Sequence, residues 1–512
     1  MRTDVVVAGA GIGGLVAALD LAVRGLDVVV VERAADPGGK MREVSIDNQR
    51  LDAGPTVVTM PWIFEEIFRD AGSDLHQQLT MRPLQVLARH AWSERESLDL
   101  FADVDRSAVA IEAFAGRRDA DGYRDFCARA KRVYDALERP FMRASRPGVL
   151  QLMHRSGFAG LSAMLKTSPF TTLWRALGDH FRDQRLRQLF ARYATYCGSS
   201  PYLAPATLML IAHVEQRGVW SIDGGMQRLA AALTALAAAR GVRFRFATEV
   251  AEVVVRNAHA AGVRLAGGES IDAGTVLWNG DPAALAAGNL GTAARAAVAP
   301  TDWSQRSLSA MTWNIVARTS GFPLLRHNVF FSADYAAEFS QLLRHQQLPQ
   351  NPTVYVCAQD RQDTPDPVPN NEERLLCLVN APARGDGVAF GSREIQQCEN
   401  TTFEFLERCG LCIQRRPEST LLTTPYEFNR RFPATGGALY GRSVHGWRAS
   451  FQRPGSRSKL PGLYLTGGGT HPGAGVPMVA LSGRSAAASI AADLALTNRS
   501  RRAGMLGGMS MR

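Results

Sequence analysis

No run of about 18 uncharged apolar residues occurs in this 512-residue chain, so no segment of it reads as a bilayer-spanning helix. The apolar start does not read as a secretion signal either. It carries Asp4 where a signal is basic, and a glycine-rich turn where a cleavage site would stand. Cysteine is sparse: seven are scattered along the chain, the usage of a reducing cytoplasm rather than of a disulfide-stapled fold. Cys409 and Cys412 have C-x-x-C spacing, but they fall at the apparent end of a helix (FEFLERCGLC) and no second pair completes a metal site. They read as incidental thiols, and no metal is expected. No Ser/His/Asp cluster announces a nucleophile, and no internal repeat appears. RNP, zinc-finger and helix-turn-helix patterns are also missing. A net charge of +10 could face nucleic acid, an anionic membrane or nothing in particular, and the missing motifs point away from nucleic acid.

What is present is an ordinary folded composition, 46% hydrophobic and 21% charged, long enough for two domains. Residues 4–8 (DVVVA) read as a buried parallel strand. Gly9, Gly11 and Gly14 then form G-x-G-x-x-G, a helical pattern follows (LVAALDLAVRG), and residues 27–31 (DVVVV) make a second strand ending at Glu32. In such a unit Gly9 permits the tight turn, Gly11 lets the backbone approach a pyrophosphate, and Gly14 lets the helix pack on the strand. The helix N-terminus offers free N–H groups to phosphate, and Glu32 can accept the ribose hydroxyls of an adenosine. The spacing makes this a dinucleotide-binding fingerprint.

The fingerprint alone does not choose between a nicotinamide and a flavin. The continuation does: Gly38, Gly39 and Lys40, then the turn Asp52-Ala53-Gly54-Pro55 with Thr56 and Val57, form an insert that a nicotinamide unit does not need. Lys40 is placed to neutralise a pyrophosphate. Near the other end, residues 460–495 read as strand, glycine loop and a small-residue helix starting near Val476-Pro477. The positive end of that helix suits a flavin edge that becomes anionic on reduction. Both ends of the chain are expected to meet on one FAD.

On the segments AGAGIGGL, GGK, LDAGPTVV, WSIDGGMQRLAAAL and GGGTHPGAGVPMVALSGRSAA, the chain resembles the FAD-dependent carotenoid desaturases of the bacterial phytoene desaturase type, over nearly its whole length. The stretches SSPYLAPATLMLIAHVEQRGVWSIDGGM, HNVFFSADYAAEF and PTVYVCAQDR look closest to the 1-hydroxycarotenoid 3,4-desaturase (methoxyneurosporene dehydrogenase) branch. The resemblance implies an α/β fold: a Rossmann-like FAD-binding domain of the glutathione-reductase and amine-oxidase type, with an inserted α+β substrate domain. It implies FAD contacts from Ile12, Glu32, Lys40, Thr56, Val57, Val250 and Asn279, and from Gly468, Gly475, Val476, Pro477, Met478 and Val479. The implied substrate is an acyclic carotenoid, with phytoene as the alternative. A flavin amine oxidase and a non-catalytic carotenoid carrier are the readings from other classes.

The expected FAD domain is discontinuous (1–85, 215–305 and 435–497), the substrate domain comprises 86–214 and 306–434, and 498–512 form a disordered tail. Desaturation asks mainly for alignment of one C–C bond and exclusion of water. Three candidates for moving a proton stand near the flavin segments. His471 lies in the flavin loop, where its other reading is a ring hydrogen-bonded to backbone. His213 and Glu215, in HVEQRGVW, either face the flavin pocket or form a satisfied polar pair at a domain junction. Residues 139–178 contain no Asp or Glu and pair Arg139, Arg143, Arg146, Arg155, Lys166 and Arg175 with bulky apolar side chains. That mixture suits a peripheral contact with a cytoplasmic membrane face, inner or photosynthetic, the other reading being a core-facing helix pair.

Overall fold

The computed structural model describes residues 1–145, 170–362 and 371–507. The first strand, β1 (Arg2–Ala8), passes through a glycine turn into helix α1 (Ile12–Val23), and β2 (Val28–Val31) returns parallel to β1. The valine run explains the position of β1. Val5 and Val7 enter one core and Val6 the opposite one, all at 0% exposure, so both faces of the strand are covered.

Parallel pairing continues from Arg243–Arg245 through β2 and β1 to Ser270–Trp278, and from there to Leu463–Leu465. The antiparallel pair Val250–Arg256 and His259–Leu265 completes this seven-stranded sheet. Its strands all come from three separated parts of the chain, 2–31, 243–278 and 463–465. On one face lie α1, the helix Gln227–Ala239 and the helix Val476–Gly507.

A second sheet of eight strands is drawn entirely from residues 86–101 and 309–423. The long strand Ser309–Gly321 runs antiparallel to Glu373–Ala381 along one edge. Along the other it meets Thr420–Thr423 and Leu411–Gln414. Helices Val104–Ala115 and Arg117–Leu137 cover part of this half through an aromatic core that includes Tyr123, Phe126 and Phe190.

Among the described residues one helical stretch, Val476–Leu496, is long and apolar enough to cross a membrane by length and composition. It is a core helix here: Ala480, Ala486, Ala487 and Ile490 are fully buried, and Arg484 reaches Asp20 of α1 at 3.3 Å. The helix continues to Gly507, so the described part of the expected tail is helical, and residues 508–512 lie outside the described residues. Lack of apolar periodicity argues against packing, not against helix. Arg, Ala, Met and Leu readily extend a helix already nucleated and anchored upstream.

Candidate functional site

One cavity of about 1140 Å³ runs from the carboxyl end of β1 and β2 into the space under the second sheet. At the β1–α1 turn its wall is Gly9, Gly11 and Ile12. The N-terminus of α1 has no side-chain cap, so its first amides are available to an anion. Gly14 does not line the cavity. A Cβ there would stand 2.3 Å from the Gly9 carbonyl oxygen, so Gly14 is what lets α1 lie against the turn.

Glu32 and Val250 border the same end. The Glu32 carboxylate accepts the N–H of Ala10 (2.7 Å) on Oε2 and that of Ala34 (2.9 Å) on Oε1. Each oxygen keeps a lone pair for a further donor, which suits a vicinal diol. Asn279 also lines the cavity and donates from Nδ2 to the Gly9 carbonyl at 3.1 Å. A glycine turn closed to a Cβ at Gly11, Gly13 and Gly14, free helix amides and a doubly anchored acid together fit the adenosine and pyrophosphate of FAD.

Further along are Lys40, Thr56, Val57 and Gly468, and the start of the last helix, Gly475 to Val479. That helix begins at Val476, and the Val479 N–H bonds to the Gly475 carbonyl at 2.9 Å. Lys40 Nζ donates to the Leu439 carbonyl at 2.6 Å and lies 5.1 Å from the Phe432 ring centre. Burial, reinforced by Arg453 and opposed by Asp281, lowers its pKa to about 8. Arg453, not singled out by sequence, is 3% exposed; it donates to the carbonyls of Gly468 (2.6 Å), Tyr440 (3.0 Å) and Arg442 (2.6 Å). It fixes the glycine loop to the segment before it. No short motif marks such a residue, because all its partners are backbone.

Beyond these segments the lining becomes aliphatic, with Leu87, Leu189, Leu208, Ile211 and Leu376 among its residues, and a polar group is embedded in it. Arg192 Nη1 donates to the Tyr196 hydroxyl at 3.0 Å, and its guanidinium sits 5.1 Å from the Tyr196 ring and 5.5 Å from the Tyr355 ring. Tyr193 donates to Glu215 Oε2 at 2.8 Å. Burial raises the Glu215 pKa, while hydrogen bonds from Tyr193 and Tyr196 and the charge of Arg192 restrain that rise. Tyr355 links Thr56 Oγ1 (2.8 Å) to His327 Nδ1 (2.8 Å). His327 and His90 are both lowered to about 3 by burial, with Arg192 and, for His327, Arg326 contributing; both rings are neutral at physiological pH. The four-residue spacing of Arg192 and Tyr196 was a signal in the sequence, but only the fold sets it beside Tyr355 and Thr56.

Of the three proton-transfer candidates, only Glu215 borders the cavity. His471 is 3% exposed and turned away, with Nε2 against the carbonyl oxygens of Phe141 (2.9 Å) and Ala144 (3.0 Å), the backbone-bound alternative. His213 packs on the Tyr134 ring at 5.1 Å, outside the lining. Cys409 is buried, its thiol pushed up to about 11, whereas Cys412 is exposed; both are free. Within the basic stretch 139–178, residues 146–169 lie outside the described residues, so Arg146, Arg155 and Lys166 do too. Arg143 is engaged by Glu66 (3.1 Å) and Glu138 (3.3 Å), whereas Arg139 and Arg175 are exposed.

Residues 12–316 match the family of flavin-containing amine oxidoreductases. The chain is 54% identical to a hydroxyneurosporene desaturase of Rubrivivax gelatinosus, covering 100% of this chain and 98% of that protein. It is 45% identical to one of Cereibacter sphaeroides, covering 97% and 99%. Among solved structures, an oxidoreductase of Methanosarcina mazei matches with a TM-score of 0.58 at 17% identity over 95% of this chain and 99% of that one, a likeness of fold. With the dinucleotide cradle and the aliphatic cavity joined in one space, the chain belongs to the flavin-containing amine oxidoreductase family, in its carotenoid desaturase branch.

Proposed function

We propose that this protein is an FAD-dependent desaturase of an acyclic carotenoid, introducing the C-3,4 double bond beside the 1-hydroxylated or 1-methoxylated end. The observation that carries the reading is the continuity of one cavity, from the glycine cradle to a long aliphatic recess. The full-length likeness to hydroxyneurosporene desaturases supports the choice of substrate. Glu32, the turn at Gly9 and Gly11, Val250 and Asn279 hold the adenosine and pyrophosphate side. Lys40 adds positive charge, and Thr56, Val57, Gly468 and residues 475–479 border the ring side. FAD held there supplies a two-electron acceptor for hydride.

The substrate loses a hydride from one carbon and a proton from its neighbour, and the electrons of that second C–H bond become the new double bond. The apolar walls align the chain and exclude water. Glu215, poised by Tyr193 and Tyr196, takes the proton. Pigment analysis of cells that make 1-hydroxyneurosporene tests the reading. With this protein present, the main pigment gains one conjugated double bond and absorbs at longer wavelength. Conversion of phytoene instead, with hydroxyneurosporene unchanged, overturns it.

A water-insoluble substrate has to enter from a bilayer, and the protein meets that bilayer as a peripheral protein at a cytoplasmic membrane face. Phe170, 70% exposed, and Trp447 border the cavity and touch edge to face, with Arg448 stacked 4.9 Å from the Trp447 ring centre. Aromatic rings with adjacent cations suit a headgroup boundary. In flotation assays binding should need anionic lipid and weaken with salt. Equal flotation of a Phe170→Ser/Arg448→Gln variant removes this edge from the contact.

A further inference from the structure

Arg192 is a cation with no carboxylate within 4.0 Å among the described residues, placed in a mainly aliphatic cavity. Its one hydrogen-bonded partner is the Tyr196 hydroxyl, and two phenol rings flank it. A guanidinium has five N–H donors in a rigid fork, so this arrangement leaves donors unused. Glu215 and the nearby phenols favour its charge through space, but no carboxylate pairs with it directly, and N–H donors kept from water without an acceptor are costly. A hydrocarbon cannot relieve that cost. An oxygen can.

The position within the cavity matters as much as the charge. The turn carrying Arg192 ends at Gly198, where an added Cβ would stand 2.5 Å from the Tyr440 ring. The Tyr440 carbonyl and that of Gly468, in the ring-side loop, accept from the same nitrogen of Arg453. On the other side Tyr355, stacked by Arg192, is hydrogen-bonded to Thr56, another ring-side residue. Arg192 therefore belongs to the part of the cavity next to the reacting bond, not to its remote apolar end.

We propose that Arg192 anchors the oxygen at the C-1 end of the substrate and thereby sets which C–C bond is presented for desaturation. This rests on the function proposed above. An acyclic polyene can slide along an apolar recess with little change in energy, because each isoprenoid unit resembles the next. A polar contact at one end removes that degeneracy. The oxygen on C-1 is three bonds from C-3, so fixing it fixes the C-3,4 bond. A donor-only side chain also fits both substrate forms, since hydroxyl and ether oxygens alike accept hydrogen bonds. A hydroxyl could in addition donate toward Glu215. Arg192 is thus a specificity-determining residue, distinct from the proton acceptor.

The test compares FAD-loaded wild type with Arg192→Met and Arg192→Lys. Binding of 1-hydroxyneurosporene and of neurosporene is read from quenching of tryptophan fluorescence, and turnover and the position of the new bond from product analysis. Arg192→Met should bind the hydroxylated chain about 10- to 100-fold more weakly, the scale of one hydrogen bond to a charged group. Binding of neurosporene and flavin content should stay unchanged, and residual product should be spread over more than one position. Arg192→Lys should recover part of the preference. Equal losses for both carotenoids, or an unchanged preference in Arg192→Met, would overturn the anchor. Wild type that prefers the hydroxylated chain but does not desaturate it overturns the functional reading and leaves the anchor standing. Wild type with no preference overturns the anchor whatever the reaction.

Discussion

Asn279 donates its Nδ2 hydrogen to the Gly9 carbonyl oxygen at 3.1 Å, tying the end of strand Ser270–Trp278 to the turn that begins the cofactor cradle. The amide occupies the space that side chains at the glycines would need. A Cβ at Gly11 or Gly14 would approach Asn279 Nδ2 to 2.8 Å, and one at Gly13 would approach Oδ1 to 2.9 Å. Glycine loop and asparagine are therefore one packed unit made from two segments some 265 residues apart, as Gly14 and Asn279 show.

Gly14→Ala should break that unit. The new methyl meets the Gly9 carbonyl at 2.3 Å, a backbone contact that no rotamer change relieves. Overpacking of this kind costs about 1–3 kcal/mol. The melting temperature should fall, and the ratio of flavin to protein absorbance should fall with it. A variant with wild-type flavin content would show that α1 can move off β1 without harm to the cradle.

Glu32→Ala removes the acceptor of the Ala10 and Ala34 amides together with the proposed ribose contact. Leaving the buried Ala10 donor unpaired costs about 1–3 kcal/mol, whereas the exposed Ala34 amide can turn to water. FAD should be lost on dialysis, with the adenine end loosened first. Full flavin occupancy after dialysis would contradict the ribose role.

Lys40 links cofactor affinity to pH. Its pKa in the cofactor-free protein is lowered to about 8, mainly by burial. Between about 8 and the usual lysine range near 10.4, the unfolded chain holds the proton more tightly than the folded one. Stability without FAD should therefore rise with pH across that window. FAD affinity should change the opposite way, because an anionic pyrophosphate favours the ammonium form, and that form is lost as pH rises through about 8. Lys40→Met should flatten both profiles. Titrations of apoprotein with FAD at several pH values, beside thermal melts, check the two signs independently.

The cofactor half was legible because its constraints are local and repetitive. A turn, a free helix end and an acid at fixed spacing produce the same pattern wherever they occur, and Gly9, Gly11, Gly14 and Glu32 carry it. The ring-side helix start at Val476 was readable for the same reason. Arg453 was not, since it acts through three backbone carbonyls that any sequence supplies. The group of Arg192, Tyr355 and Thr56 was hidden differently: its members come from three segments that only the tertiary fold assembles. His471 left two readings open because it sits beside the glycine loop in sequence; its ring nitrogen lies against the carbonyls of Phe141 and Ala144, which fits the backbone-bound one.

Glu215 and His471 make opposite predictions for catalysis. Glu215 borders the cavity, and burial raises its pKa above the ordinary value of 4.5. A base that must be ionised to accept a proton gives an acid limb in kcat, here displaced upward from the usual glutamate range. Glu215→Gln preserves shape and the Tyr193 hydrogen bond but cannot take the proton. It should lower kcat by about 10²- to 10⁴-fold and abolish the limb, with flavin content unchanged. His471→Gln removes a buried contact to two carbonyls, so its effect should appear as about 1–3 kcal/mol of lost stability. Its acid limb should stay where it is in wild type. If Glu215→Gln keeps kcat within about threefold, proton removal does not depend on this carboxylate. A limb that disappears in His471→Gln and persists in Glu215→Gln would transfer the role to the histidine, despite its orientation.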